Sequence, residues 1–412
     1  MEKLFLRSQA ALQTINLEYH RSLFDEIDWS NPLIAITGAR GVGKTTLLLQ
    51  KLKSLQIPSS EGLYVDLGDL YFSNNKLIDF VEAYLSLGGK YLFLDEVHRY
   101  SYGSWAEELK RIHDLYRNRL QITFTGSSVI QILNRQADLS RRVRYYKMYG
   151  LSFREFLLLA YNIKLPLVEL FDLLQNHQRI YQEVNPGVVF RPLPRLREYW
   201  QYGYYPYFLE DQKGFLQRLN QVIQIVIEQD IPYASGVNAL DRIAIGKLLF
   251  AIASSPPFKP NISKLSERLG IARNTLVQYL NLLDQAELIQ GLKSEQKGIS
   301  AMQKPDKIYL DNTNIIYALA PEQADLGTLR ETFFFNQLSA TAALAEQPGG
   351  IALPKKGDFL YRSVTIDYLF EVGGPNKSSK QIGKSEQHFI VADIEQSGNK
   401  HRIPLWMFGL LY

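Results

Sequence analysis

The stretch LIAITGARGVGKTTLLLQ, residues 33–50, runs from an apolar strand through a glycine-rich turn into a leucine-rich helix. Gly38-x4-Gly43-Lys44-Thr45 fits the phosphate-loop pattern, with the strand before it and the helix after it that the pattern requires. Glycines let successive backbone N–H groups converge on phosphate oxygens with no side chain in the way. The helix N-terminus adds about half a positive charge at the same place. Gly38, Ala39, Arg40, Gly41, Val42, Gly43, Lys44, Thr45 and Thr46 are therefore the expected cradle for a triphosphate. Lys44 is expected to reach the β/γ oxygens, Thr45 to offer its hydroxyl to Mg2+, and Arg40 to point to solvent.

KYLFLDEVHRY, residues 90–100, supplies the second half of such a site. A short apolar strand ends at Asp95 and Glu96, where an acid on a parallel strand faces the ligand crevice. Asp95 is the expected Mg2+ ligand and Glu96 the group that polarises water, since two adjacent acids favour hydrolysis over mere binding. LQITFTGSS, 120–128, reads as a further strand, with Ser127, and Thr125 as runner-up, as a sensor of the terminal phosphate or the lytic water. GLYVDL, 62–67, and RVRYYKM, 142–148, complete the sheet, with 62–67 read as lying between the loop and the acidic strand. Arg142, or Arg141 beside it, is a candidate arginine for the terminal phosphate, acting in cis or from a neighbouring subunit.

The totals bound the remainder. A chain of 412 residues has room for two to four domains. It has no cysteine, which excludes disulfides, thiolate zinc sites and cysteine nucleophiles and suits a reducing cytoplasm. No run approaches about 18 apolar residues, so no membrane span is expected. Net charge is +4, and residues 240–310 hold 10 Lys/Arg against 6 Asp/Glu, so that segment carries the whole excess. A polyanion other than the nucleotide is to be sought there.

In the middle of the chain, Ser152-x-x-Glu155 is a capping box at the head of an amphipathic helix. The aromatic run 190–209, with Trp200, is expected to pack helices together. Residues 261–292 have helix-turn-helix spacing, with Ser263 as the cap, Gly270 in the turn and Arg273, Asn274 and Gln278 facing a nucleic-acid groove. Residues 288–311 read as a wing carrying Lys293, Lys297, Lys304 and Lys307. Nearer the C-terminus, Glu331 lies on a helix, while Asp358 and Glu371 lie on successive strands, with Asp367 as an alternative to Asp358. This is the acid order of a restriction-type nuclease. The lysine expected two residues after the glutamate is replaced by Gly373; Lys377 is the nearest substitute, and the preferred reading is a degenerate scaffold.

With GARGVGKTT, LFLDEVHRY, TGSS, SRRVRYYKMYGLSFREF, the helix-turn-helix, GTLRETFFFNQL, KGDFL and FEVGG on the page, the chain resembles a group of bacterial and archaeal AAA+-like ATPases. They belong to the branch related to signal-transduction P-loop ATPases, and their C-terminal domain is similar to restriction endonucleases. The resemblance implies an α/β fold in four parts: a P-loop core over 1–150, a helical lid over 151–235, a winged helix over 236–310 and a restriction-endonuclease-like domain over 311–412. It also implies ATP rather than GTP, and Mg2+. The expected activity is ATP hydrolysis driving a switch or slow motor, with DNA or a protein as partner. The alternatives are an ATP-gated DNA-binding or DNA-cleaving protein of a mobile-element or defence system, and a scaffold that binds ATP without turnover.

Overall fold

The computed structural model describes residues 1–126, 139, 141–232, 240–255, 257–294, 305–345, 350–378 and 387–412. The chain divides into two compact units, Met1–Gly150 with Gln229–Asn238, and Leu151–Glu228 with Ala239–Tyr412.

The first unit is a parallel five-stranded sheet: β1 (Leu33–Thr37), β2 (Gly62–Asp66), β3 (Tyr91–Asp95), β4 (Gln121–Gly126) and β5 (Arg144–Lys147). The order across the sheet is β2-β3-β4-β1-β5. Every residue of β1 is buried, as expected for a central strand covered on both faces. The strand standing between β1 and the acidic β3 is β4, and β2 lies at the edge. The reading that put 62–67 between the loop and the acids holds in sequence order and not in space; the period of an apolar run says nothing about its neighbours. The free edge of β2 is covered by the helix Glu2–Gln13, whose Ser8 hydroxyl accepts the Tyr64 N–H at 3.1 Å. Helices Leu77–Ser86 and Trp105–Tyr116 pack Phe80, Tyr84 and Trp105 into the same core.

The second unit begins with the helix Phe153–Tyr161, and both bonds of the Ser152/Glu155 capping box are made. Tyr199, Trp200, Tyr204 and Tyr205 of the aromatic run are buried in helix packing, as expected. The helix Phe215–Ile225 continues as a π-helical turn, Val226–Asp230. Helices Ile262–Leu269 and Arg273–Gln285 flank Gly270, whose φ of +67° makes the turn between them. The cap of the first is Asn261, which accepts from Lys264 N, rather than Ser263. A two-stranded antiparallel ribbon follows, β6 (Ile289–Leu292) with β7 (Lys307–Leu310). The C-terminal sheet orders β12 (Arg402–Pro404), β11 (His388–Ala392), β10 (Asp367–Gly373), β9 (Phe359–Arg362) and β8 (Gly350–Ala352), with Leu326–Leu344 as a long helix against it. Among the described residues no helix is long and apolar enough to cross a membrane.

Candidate functional site

The glycine loop leaves β1 at its C-terminal edge. Gly41 and Gly43 have φ of +87° and +102°, and Gly43 is the cap from which the helix Lys44–Ser54 starts. A Cβ on Gly38 would lie 2.1 Å from the Met148 carbonyl oxygen, so only glycine fits between the loop and the end of β5. Arg21 ties the same parts together. Its guanidinium donates to the Val42 carbonyl at 2.9 Å and to the Tyr149 and Gly150 carbonyls at 2.9 and 2.8 Å. Lys44 is buried, with Nζ donating to the Gly38 and Ala39 carbonyls at 2.9 and 2.7 Å, while Thr45 and Thr46 are exposed on the first helical turn. The ammonium thus lies within the loop it is expected to serve.

The acidic strand meets that helix directly. Thr45 Oγ1 donates to Asp95 Oδ2 at 2.6 Å, and Tyr64 OH donates to the same oxygen at 2.9 Å. Burial, and then the Asp95 charge, push the Tyr64 hydroxyl far above its usual range, so it stays a donor. Asp95 Oδ1 accepts from Thr125 Oγ1 and from Glu96 N, and Thr125 Oγ1 accepts from Glu96 N at 3.2 Å. Thr125, the alternative sensor, is therefore in the cluster; Ser127 lies outside the described residues. Glu96 sits at φ +52°, a conformation a non-glycine residue seldom adopts. Asp66, in register with Asp95, adds a further carboxylate that sequence reading passed over. Burial raises it, against the Gly68 N–H and Arg99, with Asp95 and Glu96 adding to the rise.

Arg40 does not point to solvent. Its Nε and NH2 donate to Asp230 Oδ2 and Oδ1, both at 3.0 Å, and NH2 lies 3.6 Å from Glu96 Oε2. Burial opposes its charge, but the Asp230 fork, with Glu96 adding, holds its pKa above the ordinary value. His98 Nε2 lies 3.3 Å from Glu96 Oε2, and burial pushes the His98 pKa down to about 4. No motif marks Asp230, which is far from the loop in sequence. Arg142 is placed elsewhere. It precedes β5, which pairs with β1 from Ile34↔Arg144 to Thr37↔Lys147. It therefore lies at the strand-start edge, a strand length of roughly 13 Å from the loop. There it forks onto Asp114 at 2.6 and 2.9 Å.

The C-terminal acids lie on the other unit. Glu331 accepts from Tyr309 OH at 2.7 Å and lies 3.8 Å from Lys307 Nζ, which takes that lysine out of the expected basic wing. Lys293, Arg273, Asn274 and Gln278 are exposed, while Lys297 and Lys304 lie outside the described residues. Asp358 Oδ2 accepts from Val372 N at 2.8 Å and from Lys377 Nζ at 3.4 Å. A Cβ on Gly373 would meet the Lys377 side chain at 2.8 Å, so Lys377 covers the position where a nuclease lysine is expected. Glu371 is 1% exposed, and among the described residues neither carboxylate oxygen has a hydrogen-bond partner. Burial raises its pKa, against Lys377, with Asp358 adding to the rise. Asp367 is exposed, 3.8 Å from Arg362, which leaves Asp358 as the acid beside Glu371. Among the described residues no group of three acidic or histidine side chains has the spacing to hold a metal ion.

The donor set of the loop fits Mg2+: the Thr45 hydroxyl and the Asp95 carboxylate are hard oxygens in contact, and Mg2+ takes one or two such ligands beside phosphate oxygens.

A parallel sheet of this order, with the glycine loop leaving the interior strand β1 and an acid pair two strands away, forms an α/β P-loop domain. Residues 30–157 match the family described as AAA domain, and residues 193–326 match one described as a domain of unknown function, DUF8612. Uncharacterized protein MJ1637 of Methanocaldococcus jannaschii is 28% identical over 413 residues, covering 92% of this chain and 85% of that one. Among solved structures, the Thermotoga maritima RuvB Holliday junction branch migration motor aligns at 17% identity and a TM-score of 0.26, over 71% of this chain and 89% of its own. AMPPCP-bound DnaA from Aquifex aeolicus aligns at 15% and 0.25, over 68% and 86%. C. elegans PCH-2 aligns at 14% and 0.24, over 68% and 67%.

Proposed function

We propose that the protein is a cytoplasmic, Mg2+-dependent ATPase whose turnover drives a conformational switch or slow motor acting on a nucleic-acid or protein partner. The observation that carries this reading is the 2.6 Å contact between Thr45 and Asp95, which joins the phosphate loop to the acid strand with Glu96 next in line. Backbone N–H groups of 38–46 and the Lys44 ammonium bind and orient the β- and γ-phosphates. Thr45 and Asp95 would hold Mg2+, which would supply charge neutralisation at the phosphates. Glu96 accepts the proton of a water whose oxygen bonds to the γ-phosphorus, while the bond from phosphorus to the β–γ bridging oxygen breaks and its electron pair leaves with ADP. Thr125, through the Glu96 N–H, holds the backbone from which that carboxylate projects.

The test is a calorimetric titration of ATP and GTP, with and without Mg2+, on wild type and Lys44→Ala. Heat with MgATP that disappears in the variant supports the reading; no heat with either nucleotide removes it.

A second reading, DNA engagement by the second unit, is favoured by Arg273, Asn274, Gln278 and Lys293 standing exposed after the Gly270 turn. Lys377 over Gly373 beside Asp358 keeps a cleavage site within this reading. Duplex binding that weakens steeply with salt supports the first part. Nicking with Mg2+ or Mn2+ that Lys377→Ala abolishes supports the second, and neither at low salt removes both.

A further inference from the structure

At the edge of the site two carboxylates compete for one guanidinium. Arg40 gives its fork to Asp230, with both bonds at 3.0 Å, and reaches Glu96 only at 3.6 Å. A parallel two-bond pair to a carboxylate outweighs a single long contact. Asp230 is almost fully buried, at 6% exposure, so its charge is committed to this pair rather than shared with solvent. Glu96 also faces His98 Nε2 at 3.3 Å, at the far reach of the same guanidinium.

The position of Asp230 in the chain adds to this. It closes the π-helical turn Val226–Asp230, and π turns of this kind are rare and recur at functional sites. The chain belongs to the second unit through Glu228 and to the first from Gln229, so the crossing falls inside that turn. The carboxylate that occupies Arg40 is thus carried by the helical segment that runs from one unit into the other.

We propose that Asp230 is a positioning residue for hydrolysis: by occupying Arg40 it keeps the guanidinium from clamping Glu96, and displacement of the 229–230 turn switches hydrolysis off. This rests on the ATPase reading above. It adds a route by which the turn at 229–230 controls the base through a single ion pair, without touching the nucleotide.

The experiment measures steady-state phosphate release from MgATP, and MgATP binding by calorimetry, for wild type, Asp230→Asn, Arg40→Ala and the double variant. With Asp230 neutralised, Arg40 turns to Glu96. The expected result is kcat lowered by about tenfold or more, with ATP affinity held within about threefold. Removing Arg40 as well lifts the clamp, so the double variant is expected to turn over about fivefold faster than Asp230→Asn alone. A merely structural role for the pair predicts the opposite, a double variant no faster than the worse single. Asp230→Asn with wild-type kcat, or a double variant no faster than Asp230→Asn, overturns the proposal. If Asp230→Asn does not fold, Asp230→Ser removes the same charge in a smaller side chain and is read by the same criteria. Wild-type protein that binds MgATP but releases no phosphate refutes the ATPase reading itself, and is distinguished by that single control.

Discussion

Gly38→Ala gives a prediction whose size follows from the geometry. The added Cβ would lie 2.1 Å from the Met148 carbonyl oxygen and 3.1 Å from its carbon. An unstrained C···O contact is about 3.3 Å, so backbone must move by roughly 1.2 Å. Met148 cannot easily yield, because its N–H donates to the Thr37 carbonyl at 2.7 Å, the last bond joining β5 to β1. Forcing backbone apart costs about 1–3 kcal/mol. The φ of +153° costs a residue with a Cβ about 1–3 kcal/mol more. At roughly 2–4 °C per kcal/mol for a unit of this size, a central loss of about 4 kcal/mol lowers Tm by about 8–16 °C. Two other glycines separate the contributions. Gly88 has φ +90° and nothing among the described residues within 4 Å of an added Cβ, so Gly88→Ala carries strain alone, about 1–2 kcal/mol. Gly246 lies in the helix Arg242–Ala253 with nothing among the described residues within 4 Å, so Gly246→Ala is expected to stabilise by up to about 1 kcal/mol. Scanning calorimetry of the three variants gives the order, and ATP titration gives the functional half. Displacing the loop by about 1 Å is expected to cost about 100-fold in kcat/KM. A Gly38→Ala protein no less stable than Gly88→Ala, and still binding ATP normally, refutes the packing argument.

Arg21→Lys removes the fork that joins Val42 to Tyr149 and Gly150; it is expected to raise KM for ATP severalfold and to cost about 1–3 kcal/mol by urea unfolding. His98 is held neutral in the fold, with a pKa near 4 against an ordinary 6.5, so the unfolded chain binds the extra proton first. Stability is therefore complete above about pH 6.5 and falls toward pH 4, by up to about 3 kcal/mol from this group. His98→Gln should flatten that part of the pH profile, and parallel profiles would refute the assignment. Glu371 has the opposite sign. Its carboxyl is raised by burial, so its ionised form costs stability above the ordinary value of 4.5. Glu371→Gln should raise Tm at pH 8, with the gain vanishing toward pH 4, unless added Mn2+ stabilises wild type and not the variant.

The loop, the acid pair and the apolar strands were legible because their chemistry is local: glycine spacing, a run of β-formers and adjacent acids within 33–50 and 90–100. Sheet order was not, since the burial of β4 on both faces looks the same whichever strands flank it. Arg40 was misread because its partner Asp230 is distant in sequence and an exposed-looking arginine has no local signature. Arg142 was an attractive candidate by its place before the last strand, but strand direction puts it at the wrong edge for a cis role. In the second unit the acid order 331, 358 and 371 was visible, whereas the folding of Lys377 back over Gly373 depends on a turn that no periodicity encodes. Lys307 has the local sequence of a wing charge, but its 3.8 Å approach to Glu331 joins positions distant in sequence and leaves no local signature.

The central claim is that Lys44, Thr45, Asp95 and Glu96 together hydrolyse ATP. Phosphate release measured on wild type, Lys44→Ala and Glu96→Gln under saturating MgATP tests it most directly. The account predicts turnover in wild type, weak binding and no turnover with Lys44→Ala, and tight binding with a rate lower by about 100-fold or more with Glu96→Gln. Release at the same rate in all three proteins would contradict it.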